Sequence, residues 1–270
     1  MRLLNRKPGR ALTLALALLP FLVAIAAYVI ASDIRLSANP ADKLLPAPSQ
    51  IAATAERLLT EGDRRTGRIL FWYDTAVSLR RLAIGVGLAA GLGLTLGVAI
   101  GLLPHVRAAL GGFVAVLSMI PPLAVLPILF IAFGLGETSK IVLIVIGIAP
   151  FLVRDIAQRV VEIPREQIVK AETLGASTAV VALRVVLPQV LPRLLHGVRL
   201  SLGPAWLFLI AGEAIASDLG LGYRIFLVRR FLARDVILTY VIWITLLAFL
   251  MDLALRTLSR RAFPWSGAGL

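Results

Sequence analysis

The chain has no cysteine, so it carries neither a disulfide framework nor a thiolate metal site. Its only histidines are His105 and His196, far apart in sequence, and no HExxH pair occurs. A membrane-embedded metalloenzyme would need such groups clustered. Both histidines fit loop positions, and no metal-ligating residues are assigned. No lysine follows a glycine, so GxxxxGK[ST] is absent and the chain is no P-loop ATPase. No repeat relates its two halves, which disfavours the inverted-repeat secondary transporters. No basic patch is interleaved with stackable aromatics, so nucleic acid is an unfavoured partner.

Charge is also scarce: only 16% of the 270 residues are charged, against 59% hydrophobic, and mean hydropathy is +0.91. A soluble domain of this length needs more polar surface, so bilayer lipid is the expected solvent. The charge that exists is lopsided, +13 overall. In an apolar chain that excess suits loops facing an anionic cytoplasmic leaflet.

Residues 11–32 form an uncharged run after the basic MRLLNRKPGR. That run is long enough to span ~30 Å of hydrocarbon and too long for a typical signal peptide, which is the weaker alternative. Residues 33–74 are polar and sit outside the membrane. Ser49 is an expected N-cap for IAATAERLLTEG, a helix with Ile51, Ala55, Leu58 and Leu59 on one face, ended by Gly62. Further apolar runs cover 82–104, 108–136, 141–153, 200–217 and 236–251, uncharged except for Glu213. That makes about six spans, with both termini cytoplasmic and an all-α fold. Gly93, Gly97 and Gly101 stand in GxxxG spacing, either for close helix packing or because glycine is common in membrane helices. Pro121 and Pro122 mark a helix break beside a path, or a simple kink. GLGETSK, 134–140, reads as a loop, and DLGLGYR, 218–224, as a glycine-rich turn. With this orientation Arg224, Arg229, Arg230 and Arg234 fall outside, against the positive-inside tendency.

Between the greasy runs lies a polar segment, 154–199, containing VKAETLGAS. Pro164 and Glu166 suit a helix start. Lys170, Ala171, Leu174 and Ser177 follow at helical spacing, Gly175 permits a hinge, and a second short helix leads to Leu187-Pro188. A helix-hinge-helix against the membrane face can be a peg for a soluble partner or a plain interfacial helix. Within the fifth run Glu213 is costly at membrane depth. It either forms an ion pair with an arginine of another helix or lines a path with Ser217 and Asp218, beside Trp206 and Tyr223. Trp206 alone fits packing or interface better than ligand contact.

ETLGAS with the later Leu-Pro, LPRLLHGVRLSLGPAWLFLIAGEAIASDLGLGYRI, MIPPLAVLPILFIAFGLGETSK and LLPAPSQIAATAERLLTEG together resemble the inner-membrane permeases of ABC importers, in the nitrate/sulfonate/taurine branch. The likeness covers residues 44–265. It implies a type I importer permease: residues 1–75 as a first span and extracytoplasmic segment, and 76–265 as the permease core. An EAA-like cytoplasmic loop would lie at 160–190. The coupling segment would be Val169, Lys170, Ala171, Glu172, Thr173, Leu174, Gly175, Ala176, Ser177, Leu187 and Pro188. Gly175 and Leu187-Pro188 match that loop's pattern, whereas its Glu-Ala-Ala positions read Val169, Lys170 and Ala171. The path would involve Pro121, Pro122, Trp206, Glu213, Ser217, Asp218 and Tyr223. The resemblance further implies a second permease copy, two ATPase subunits that hold ATP and magnesium, and a periplasmic binding protein. MRLLNRKP, DKLLP, FWYDTAVSLRRL, GYRIFLVRRF and RRAFPW resemble permeases associated with urea-carboxylase-type enzymes, which implies guanidinium or a urea-like solute. A carboxylate pair would suit that planar cation. The alternative is a small anion such as nitrate, taurine or a sulfonate.

Overall fold

A computed structural model describes residues 9–39, 44–63 and 67–266. The basic start MRLLNRKP and part of DKLLP lie outside the described residues. The chain divides into two compact units, one of residues 1–61 with 228–239, the other of 62–227 with 240–270.

In the first unit, α1 (Arg10–Ala38) is uncharged from Ala11 to Ser32, and Leu14, Phe21 and Ile34 stand exposed, as suits a helix solvated by lipid. Tyr28 Oη donates to the Pro46 carbonyl at 2.7 Å and Ser32 Oγ to that of Leu45 at 3.1 Å, tying the helix to the connection that follows. Helix α2 (Pro48–Thr60) presents the expected face, with Ile51, Ala55, Leu58 and Leu59 half-buried. Its start differs from the expected Ser49 cap. Proline needs no N–H donor in a first turn, so Pro48 takes that place, and Gln50 reaches back to the Ala47 N–H at 3.1 Å. The helix stops at Thr60, before Gly62. Thr54 is buried and donates to Asp235 at 2.7 Å.

The second unit is built on α3 (Leu70–Leu102) and α6 (Glu137–Val161). A Cβ on Gly85 would meet Ile144 at 2.8 Å, one on Gly93 would meet Leu152 at 2.7 Å, and one on Gly97 would meet Ile156 at 2.7 Å. Gly101 abuts Val160. The partner residue advances in step with the glycine, so the two helices run parallel. Small residues every turn let the backbones close up where lipid supplies no hydrophobic drive. Gly87 and Gly91, off this stripe, face open space. Thus the GxxxG glycines have a packing role.

Parallel neighbours require a return crossing between them. It is made by α4 (Pro104–Leu117) and α5 (Pro122–Phe133), bent by 98°. Their ends show that the pair crosses. The Arg107 side chain bonds the Ile100 and Gly101 carbonyls at the end of α3. The Leu135 and Gly136 carbonyls beyond α5 hold Lys140 at the start of α6. The break falls at Pro121-Pro122: a proline drives the residue before it out of helical backbone, and Pro122 then opens a new first turn. Among the described residues, five helices are long and apolar enough to span, and six with this pair counted as one, in line with the expected number. The region read as the loop GLGETSK is different: its Glu137–Lys140 half already belongs to α6, because Glu137 suits a helix start.

Beyond α6 come α7 (Arg165–Thr173), α8 (Thr178–Val181) and a π turn, Ala182–Val186, which leads into α9 (Leu187–Ala216). The wide turn precedes Pro188, whose ring crowds the carbonyl four residues back in a regular helix. Helix α9 runs antiparallel to α6: Gly197 lies against Leu152, Gly147 against the Phe208 ring and Gly212 against Lys140. His105 and His196 lie within α4 and α9 rather than in loops. After α10 (Leu221–Arg229), α11 (Arg234–Ala262) returns beside α3. There Phe71 packs on Tyr240 and Trp243, and Trp243 Nε1 donates to Thr75 at 3.0 Å.

Replacing Gly97 by valine should overpack the α3–α6 seam and cost about 1–3 kcal/mol, read as a lower melting temperature of the detergent-solubilised chain. Gly91→Ala, in open space, should not lower it. Equal losses would refute the packing role of the stripe.

Candidate functional site

Two places gather the residues singled out by sequence, one at each end of the α3–α6 pair. At the Val161 end, α7 stops in a Schellman turn: Ala176 N–H donates to Ala171 O at 3.0 Å and Gly175 N–H to Glu172 O at 2.9 Å. Gly175 has φ +81°, and a Cβ there would meet nothing within 4 Å. Glycine is therefore required by backbone conformation, not by crowding. The helix ends at Thr173, so Ser177 does not continue the row of Lys170, Ala171 and Leu174. It caps α8 instead, accepting from Val180 N–H at 3.5 Å.

The resulting elbow is exposed. Val169, Lys170, Glu172, Thr173 and Gly175 face outward, and Leu174 at the tip is 81% exposed. Ala171 and Ala176 are half-buried, as are Leu187 and Pro188 where α9 begins. Gln189 Nε2 donates to Gln167 at 3.0 Å and joins α7 to α9. Beneath the elbow lies a hollow of about 350 Å³ lined by Arg159, Glu162, Pro164, Pro188, Arg193 and Trp265. A hydrogen bond from Arg159 holds the exposed Glu162 carboxyl below its ordinary pKa.

At the other end Arg81, buried in α3, bridges two helices. Its Nη1 donates to Glu213 at 2.8 Å, its Nε to Glu137 at 2.6 Å, and its Nη2 also binds Glu137. Glu213 is wholly buried, with Ser78 Oγ 2.8 and 2.9 Å from its two oxygens and Gly222 N–H donating at 2.9 Å. Glu213 forms the expected ion pair with an arginine of another helix. The DLGLGYR turn completes it. Three successive N–H groups, Gly220, Leu221 and Gly222, donate to Asp74, Ser78 and Glu213. Gly220 has φ +115°, and a Cβ there would lie 2.5 Å from the Glu213 carboxylate, so no other residue fits. Arg224 pairs with the buried Asp74.

Of the expected path residues, Ser217 and Asp218 come together beside Arg81, the partner of Glu213. Trp206 is buried in α9 and packs; Pro121 and Pro122 form the bend; Tyr223 is half-exposed with Arg224 over its ring. Ser217 and the exposed Asp218 line a second hollow, about 420 Å³, with Arg81, Glu137 and Lys140. Asp74, Ser78, Arg81 and Lys140 were not singled out by sequence reasoning. The first three recur at helical spacing on one face of the α3 entry, a legible signal. Among the described residues no cluster of three or more His, Asp or Glu gathers to hold a metal.

Arg81→Met should strand the Glu213 carboxylate and cost about 3–5 kcal/mol, seen as loss of folded protein from the membrane. The double variant Arg81→Met, Glu213→Met should recover much of that stability. A double variant as unstable as Arg81→Met would contradict the ion-pair role.

Comparison with known proteins resolves what this architecture is. Residues 89–264 match the family model described as binding-protein-dependent transport system inner membrane component. The chain is 40% identical to the taurine transport system permease protein of Escherichia coli, over 83% of this chain and 80% of that one. It is 32% identical to the putative aliphatic sulfonates transport permease protein of Bacillus subtilis, over 82% and 78% of the two chains. In fold it matches a chain of the MetNI methionine ABC transporter in an inward-facing conformation. The TM-score is 0.63 at 22% identity, covering 71% of this chain and 95% of that one. The chain therefore belongs to the inner membrane components of binding-protein-dependent transport systems: it is the multi-pass transport subunit, not an enzyme, of an ABC importer that acts with an ATPase and a binding protein.

Proposed function

We propose that the chain, paired with a second copy of itself, forms the path by which a bacterial inner membrane imports taurine-like or other small sulfonates. The observation that carries this is the 40% identity with a taurine permease over four-fifths of both chains. The resemblance to urea-carboxylase-associated permeases pointed to guanidinium, but the relatives named here are taurine and sulfonate permeases, and the small-anion alternative fits them better.

The Val161 end faces the cytoplasm in this reading. Arg107, Arg154, Arg159, Arg165 and the arginines closing α11 gather toward that end, as the positive-inside tendency favours. Both termini are then cytoplasmic. The exposed elbow around Gly175 and Leu174 is the surface on which each ATPase subunit docks, with ATP and magnesium held by that partner. Closure of the two ATPases draws the elbows together and switches the path between outward and inward access. A periplasmic binding protein delivers the solute at the Arg81 end.

In cells lacking their own sulfonate importers, the chain expressed with its ATPase and binding protein should take up taurine or ethanesulfonate and not guanidinium. Guanidinium uptake without sulfonate uptake would overturn the substrate class. Gly175→Trp should leave the chain in the membrane but lower uptake more than tenfold, about 1.4 kcal/mol or more of lost coupling. Unchanged uptake would sink the docking role. Native mass spectrometry of the gently purified complex should show two copies of this chain with two ATPase subunits, and a single copy would exclude the homodimer.

A further inference from the structure

The hollow of about 420 Å³ at the Arg81 end has a charge arrangement that selects among small solutes. Its deep wall carries Lys140, buried in the first turn of α6. The ammonium has three donors. Two go to neutral acceptors, the Gly136 and Leu135 carbonyls, at 3.1 and 3.2 Å. The nearest carboxylate, Glu137, stands 3.9 Å away and is already gripped by two nitrogens of Arg81. Lys140 is thus a buried cation that shares its carboxylate, Glu137, with Arg81, on the wall of a polar hollow. The start of α6 adds the positive end of a helix dipole at the same place. A charge so placed is expensive, and an anionic visitor would relieve it.

The rest of the hollow carries carboxylates beside the Glu137-paired Arg81. The Glu137 side chain is 59% exposed and Asp218 is exposed, with Ser217 beside it. A simple anion such as nitrate or bicarbonate would gain Lys140 but face these two carboxylates. A simple cation would gain the carboxylates but face Lys140 and Arg81. A short solute with an anionic group at one end and an ammonium at the other satisfies both. Building on the reading of the chain as a sulfonate importer, we propose that this hollow is a binding site for an amino-sulfonate zwitterion. Its sulfonate would rest on Lys140, and its ammonium would lie toward Asp218 and Glu137. The volume is at the small end of ligand pockets and leaves room for part of the solute's hydration.

The absence of cysteine makes a direct test simple. Ser217→Cys places one thiol on the hollow's wall, and Ile215→Cys, on the same wall, serves if loss of the Ser217–Leu219 hydrogen bond disturbs the turn. The assembled importer in membranes is labelled with a sulfonate-bearing methanethiosulfonate reagent. Taurine should slow labelling severalfold. Ethanesulfonate or ethylamine, each supplying half of the zwitterion, and sodium chloride at equal ionic strength should slow it far less. Lys140→Gln should abolish the protection. So should Asp218→Asn, an exposed change that leaves the fold intact. Absence of protection by taurine at either cysteine, or equal protection by ethanesulfonate, overturns the proposal. Taurine uptake without protection would leave the importer reading standing and remove only this site. Protection by taurine without any sulfonate uptake would support the site while removing the transport reading.

Discussion

The charge balance at Arg81 is the constraint on which this membrane fold most depends. A guanidinium buried in an apolar chain is tolerable only with full pairing, and Arg81 obtains it from Glu137 on α6, Glu213 on α9 and the Leu219 carbonyl. Three helices distant in sequence are thereby held at one end in one arrangement. The turn after α9 is shaped by the same need. Its glycines let backbone N–H groups approach the carboxylates of Asp74 and Glu213, which no side chain at Gly220 would permit. A polar network of this kind stabilises only when each member is satisfied, and that explains why the turn, α3 and α9 are bound to one another so closely.

The opposite end of the same helices is joined differently. Arg193 and Asp155 pair at 2.6 Å at its edge, but the elbow itself is held by the Gln167–Gln189 bond and by the backbone bonds of its Schellman turn. Leu174 stands in the open. Between the two ends runs the glycine stripe, which leaves no slack for α3 and α6 to slide: a shift by one residue would put Ile156 or Val160 against a side chain instead of a glycine. One end of the pair is thus closed by backbone turns and the other by paired charge.

Most of this was legible in sequence because bilayer physics is coarse. Apolar run length gives the spans, paired prolines give the bend, and a lone glycine after a short polar helix gives the elbow. The failures are local or long-range. Ser49 looked like a cap because serine caps well in isolation, but Pro48 competes for the first turn and Gln50 supplies the bond from inside. GLGETSK looked like a loop because it is polar, yet Glu137 and Lys140 are polar for the sake of Arg81 and two loop carbonyls, partners that only the fold brings near. Glu213 was visible as an anomaly, but its partner lies 132 residues away, and no local pattern names it.

The same distinction applies to two of the arginines that, in the proposed topology, run against the positive-inside tendency. Counted as formal charges in the proposed topology with both termini cytoplasmic, Arg224, Arg229, Arg230 and Arg234 fall on the outer side. In the folded chain Arg224 is matched by Asp74, which is wholly buried, and Arg234 donates to the Leu44 carbonyl. Asp74 in turn requires a cation, so this arginine completes the fold instead of adding to the surface potential. The tendency concerns charge near the ends of membrane helices during insertion, and positive charges have partners of different kinds once folding is complete. A basic residue that closes a buried pair belongs to the core's electrostatics, and its side of the membrane follows from its partner's.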